Sequence, residues 1–109
     1  MSWFIAKIVF NIVTGDTTSK FEEQLRLVVA DSCEEAFLKA KAIGINEEKL
    51  LVQTETEFVK WEFVDISELY PLPSLGSGSE IYSQTYEPEG THDYIRQVHQ
   101  RGMTIRMNA

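Results

Sequence analysis

Residues 3–13 are apolar on two sides. Phe4, Ala6, Ile8, Phe10 and Ile12 share one face of an extended strand. Trp3, Ile5, Val9 and Val13 share the other, interrupted by Lys7 and Asn11. Such a strand is expected at the centre of a sheet, with cover on both faces. Any fold of this chain must therefore supply two covering layers.

Residues 31–44 supply the first. Ser32 is placed to cap a helix, and Glu35 three residues on completes a capping box. Glu34 and Glu35 fall in the first turn and Lys39 and Lys41 further on, as the helix dipole favours. Gly44 is expected to close the helix in a left-handed conformation. Cys33, Ala36, Phe37, Ala40 and Ile43 recur at helical intervals and share one face.

The remaining elements follow in order. Gly15-Asp16 suits a tight reversal, so residues 20–30, with Phe21, Leu25, Leu27 and Val29 in alternation, are expected to pair antiparallel with the first strand. After the helix, residues 46–49 are expected to form a turn. Residues 50–54 and 58–66 are expected as two further strands with a tip at Glu55-Thr56-Glu57. The apolar register shifts at Val64-Asp65-Ile66, as it would at a bulge. Residues 67–70 are expected to turn or to end that strand.

Prolines 71 and 73, with the glycines and serines after them, make 71–79 a flexible loop. Residues 81–86 are a candidate fifth strand, broken by Pro88-Glu89-Gly90. Residues 92–100 are expected as a short helix, capped by Thr91, stopped by Gly102 and carrying an apolar stripe of Tyr94, Ile95 and Val98. Residues 103–109 are expected to be extended or frayed. The expected fold is α+β, one domain over residues 1–109. An antiparallel sheet in β-β-α-β-β order carries the main helix on one face, and 92–109 form a C-terminal helix and tail.

At 109 residues the chain is long enough for a core without disulfides, and its single cysteine can form none internally. A net charge of −7 opposes binding to nucleic acid or to an anionic membrane. No apolar run reaches the roughly 18 residues of a membrane helix, and the first residues lack a basic leader, so a cytoplasmic location is expected. Charge is uneven. Residues 1–91 hold seven Lys/Arg against sixteen Asp/Glu, whereas 92–109 hold three Arg against one Asp. A mildly basic tail lying across an acidic body is one reading of that split.

Trp3-Phe4-Ile5-Ala6-Lys7, Phe21-Glu22-Glu23-Gln24-Leu25, Glu34-Glu35-Ala36-Phe37-Leu38-Lys39-Ala40 with Ile43-Gly44, Val59-Lys60-Trp61-Glu62-Phe63-Val64 with Leu69-Tyr70, and Glu80-Ile81-Tyr82-Ser83 occur in that order. Together they resemble an uncharacterised bacterial family, domain of unknown function 4288, over roughly residues 3–84. The family often has a glycine before the Trp61 strand; this chain has Glu55-Thr56-Glu57. The resemblance implies the single domain and its fold. It implies no activity and carries over no catalytic residue.

No stretch reads as a reaction centre. Cys33 lies where the helix dipole lowers a thiol pKa, but Asp31, Glu34 and Glu35 oppose that, and a small packed hydrophobe is the simpler reading. His92 and His99 are seven apart, about 10 Å along a helix, too far to chelate one ion. Glu62, Asp65 and Glu68 can form an acidic group, read here as an exposed rim. Phosphate loops, nucleophile elbows and His-Glu-x-x-His helices are absent from the sequence. No catalytic, cofactor-binding or metal-binding residue is assigned.

The leading expectation is a non-enzymatic interaction module, homodimeric or docking a protein partner through Trp3, Ile5, Val9 and Val13. The second is a small ligand-binding protein or enzyme with a pocket lined by Tyr82, Tyr86 and His92. The third is an acidic accessory or immunity-type protein that binds a basic partner by charge.

Overall fold

A computed structural model describes residues 1–15, 19–52 (49–52 as backbone only) and 59–108. The elements are β1 (Ser2–Thr14), β2 (Ser19–Ala30), α1 (Cys33–Val52), β3 (Val59–Leu72) and α2 (Thr91–Met107). The three strands form one antiparallel sheet in the order β2-β1-β3. The two-sided strand β1 is central, as its composition requires.

Ser32 starts α1. Its Oγ accepts the Glu35 amide at 3.1 Å, and the Glu35 carboxylate reaches back to the Asp31 amide at 3.1 Å. The face turned to the sheet is made of small residues, with Ala36 and Ala40 fully buried. They meet Phe4, Ala6, Val28 and Ala30, and Ile43, Ile66 and Leu69 pack around the cluster. Phe10 extends the same side, edge-on to Trp61 (5.9 Å) and Phe63 (6.2 Å).

Gly44 does not end α1; the helix runs on to Val52. A Cβ at Gly44 would overlap the Phe63 ring and lie 3.1 Å from Ile8 Cγ2. The glycine lets the helix lie close against the sheet, and the helix continues past it. The strand expected over 50–54 is corrected accordingly: 50–52 are the last turn of α1, and 53–54 and the tip 55–57 lie outside the described residues. Cys33 is exposed at the start of α1 and takes no place in the core.

β3 is longer than expected: it includes residues 67–70 and also Pro71 and Leu72, expected in the loop over 71–79, so that loop begins at residue 73. Its register against β1 shifts twice. Lys7 faces Glu68 but Ile8 faces Ile66; Val9 faces Asp65 but Phe10 faces Phe63. Ser67 and Val64 are thus extra residues, one at the expected bulge and one beyond it. Each shift reverses the side-chain alternation. Phe63, Ile66 and Leu69, three apart, therefore all turn toward α1. The Phe63 amide is bonded from outside the sheet, donating to Glu48 Oε2 of α1 at 2.6 Å.

Residues 73–90 hold no strand, so the fifth strand over 81–86 is not formed. Gly78 takes φ 88°, and the Ser79 amide closes a turn onto the Gly76 carbonyl at 3.1 Å. α2 runs from Thr91 through Gly102 to Met107, longer than the expected 92–100, and residues 103–107 are helical rather than extended. Its N-cap is Gly90, not Thr91. Asp93 in the first turn and Arg106 in the last suit the dipole, and the Asn108 amide closes onto the Thr104 carbonyl. All of its described residues are exposed, and it packs against none of the other helices or strands. The radius of gyration is accordingly 17.9 Å, against about 13 Å for a compact chain of this length.

Candidate interaction face

The sheet face opposite α1 is built from alternate residues of the three strands. β1 contributes Trp3, Ile5, Lys7, Val9, Asn11 and Val13. The register sets Leu27 beside Ile5, Leu25 beside Lys7 and Phe21 beside Asn11. On the other flank Leu72 sits beside Trp3, Tyr70 beside Ile5 and Glu68 beside Lys7.

Trp3, Ile5, Val9 and Val13 do share this face, but they are not equally open. Ile5 is only 4 % exposed, Val9 and Val13 are half-buried, and Trp3 is 39 % exposed. The chain covers part of the face itself. Leu75 and Ile81 line one cleft, of about 210 Å³, with Ile5, Leu25, Arg26 and Leu27. Tyr82 lies edge-on to Tyr70 at 6.2 Å. The cover is the strap of residues 74–82, not the C-terminal helix.

The strap covers β2 only in part: it lines a cleft with Leu25 and Leu27 but leaves both half open. Phe21, Leu25 and Leu27 are 66 %, 47 % and 47 % exposed. The sequence holds a signal for them: odd residues of an edge strand fall on the side that α1 leaves open. Their alternation is plain, but their side of the sheet emerges only once Val28 and Ala30 are seen to face α1.

Lys7 is the polar centre of the face. Its ammonium pairs with Glu68, lies 3.8 Å from Glu23 and sits 5.4 Å from the centre of the Tyr82 ring. The Tyr70 hydroxyl donates to the other oxygen of Glu68. The Glu68 hydrogen bond, with burial behind it, pushes the Tyr70 phenol up to about 12. The same carboxylate raises Lys7, and Lys7 with Tyr70 holds Glu68 below its ordinary value. A lysine held protonated is neither nucleophile nor base, so this cluster ties β1, β3 and the strap together without activating any of the three.

The other acids of the expected rim have separate partners. Glu62 pairs with Lys60 at 3.2 Å, and Asp65 accepts the Ile66 amide at 2.8 Å. Tyr82 lines a cleft of about 180 Å³ with Tyr70, Pro71, Pro73, Glu80 and Ile81. Tyr86 lies in a different cleft and packs on Tyr94 at 5.4 Å, while His92 lines neither. Among the described residues, no three His, Cys, Asp or Glu are grouped to hold a metal ion. Nor is any described helix long and apolar enough to cross a membrane.

The family model described as domain of unknown function (DUF4288) matches residues 3–83. The chain belongs to the DUF4288 family. No curated protein and no solved structure matches it. The DUF4288 match takes in the sheet, α1 and the strap that covers Ile5, and it stops short of α2.

Proposed function

We propose that the protein is a non-enzymatic interaction module that self-associates through the sheet face opposite α1. The observation that carries this reading is the row of Phe21, Leu25 and Leu27 on β2, which stays exposed although the strap's Leu75 and Ile81 line a cleft with the two leucines. Large side chains grouped on one face mark an interaction surface more often than scattered ones do. The saturated Lys7 cluster favours binding over catalysis, since Lys7, Glu68 and Tyr70 hold one another in their resting charge states.

Sedimentation velocity over a range of concentrations tests the reading. The full chain is expected to form a dimer, and Leu25→Glu with Leu27→Glu is expected to dissociate it. A wild type that stays monomeric at every concentration overturns the reading.

A further inference from the structure

We infer that a second copy of this chain occupies the open half of the sheet face by laying its α2 along β2, the two copies exchanging helices. The inference rests on the reading of that face as a self-association surface, and it names the element that docks.

Three observations meet here. The first is that α2 is a complete amphipathic helix with none of the other helices or strands against it, Tyr86 of the preceding segment meeting it at Tyr94. Tyr94, Ile95, Val98 and Ile105 share one face, with Gly102 among them, and all four large side chains are exposed. Arg101 and Arg106 border that stripe on its two sides, so their stems can extend it while their charges stay in water. The second is charge. The helix segment 92–109 holds three arginines against one acid, and residues 1–91 carry nine more acids than bases. Within the open row, Glu23 lies on the same face of β2, between Phe21 and Leu25. The third is area. Three partly exposed side chains fall well short of the about 800 Å² per partner of a standard interface. A 17-residue helix laid down in each direction supplies what the row lacks.

A helix from the same copy is the poorer occupant. The strap uses residues 74–82 along the face, and the Tyr86–Tyr94 contact begins α2 away from the other elements. Each copy offers one helix and one open row, so a two-fold exchange fills both and closes.

The test uses the full chain. Ile95→Glu with Val98→Glu is expected to weaken the dimer by about tenfold per substitution. Neither side chain supports the sheet domain, so its thermal melt, followed by Trp fluorescence on the dissociated chain, should be unchanged. Independently, in a Cys33→Ser background, a Leu25→Cys chain mixed with a Val98→Cys chain under oxidised glutathione should give a disulfide between unlike chains. A dimer that survives Ile95→Glu/Val98→Glu but is dissociated by Leu25→Glu/Leu27→Glu overturns the role of α2 and leaves the sheet-face reading standing. A disulfide within one dilute chain carrying both cysteines also overturns it, because α2 would then seat on its own sheet. A wild type that never dimerises overturns both.

Discussion

Gly44 and Phe63 occupy adjoining space across the α1–β3 contact, and the absence of a side chain on the first makes room for the ring of the second. Elsewhere on a helix, glycine to alanine gains about 1 kcal/mol. At this position the added methyl meets an aromatic ring that is itself held against Phe10. Gly44→Ala is therefore expected to destabilise the domain by about 1–3 kcal/mol, as overpacking does. Gly102 gives the contrast, since nothing lies within 4 Å of a Cβ placed there. Gly102→Ala should raise helix content without lowering the melting temperature. Thermal melts of the two variants, followed by circular dichroism, check both.

The Lys7–Glu68–Tyr70 cluster gives the sheet a pH dependence at both ends. Tyr70 is raised from 10.0 to about 12, so its contribution is complete below 10.0 and is lost as pH climbs toward 12. Lys7 is raised as well, and its contribution fades over the same alkaline side. Glu68 is lowered from 4.5, so its contribution is present above that value and is lost as pH falls below it. Ultraviolet titration should show a phenol ionising near 12 that Tyr70→Phe removes. Glu68→Gln should bring that phenol back toward 10.0. An unchanged titration in Glu68→Gln would refute the carboxylate as the cause.

The strap over Ile5 should behave as part of the domain. Tyr82→Ala removes the ring that packs on Tyr70 and faces the Lys7 ammonium. It is expected to cost about 1–2 kcal/mol and to increase binding of a hydrophobic dye, as Ile5 becomes wetted. Faster amide exchange at residues 75–82, with β2 unchanged, would locate the effect in the strap.

The sequence made β1 legible because a run apolar on both sides has few places to go. The start of α1 was equally clear, since a cap is a local device read from Ser32 and Glu35. The end of α1 was not. A glycine that closes a helix and a glycine that admits a neighbouring ring look alike in a sequence, and only Phe63, nineteen residues on, separates them. Residues 67–70 looked like a strand's end because Phe63, Ile66 and Leu69 break the period of two. The two register shifts restore it, and they depend on β1. In the candidate face, Trp3, Ile5, Val9 and Val13 were aligned by alternation alone. Tyr82, Tyr86 and His92 are expected around one pocket between sheet and tail, but Tyr82 stays on Tyr70 of β3 while Tyr86 turns to Tyr94 of α2. The strap over Ile5 has no period of its own, so nothing local announces it.

The two register shifts in β3 make the margins of the sheet unequal. A doubly bulged strand ending in Pro71 and Leu72 is a poor template for another strand, whereas β2 pairs with β1 in unbroken register over its length. Among the described strands, β2 is thus the margin that favours backbone-to-backbone growth. Two molecules joined along it would leave bulged strands at both outer limits, and the stack would end there instead of propagating into a fibre.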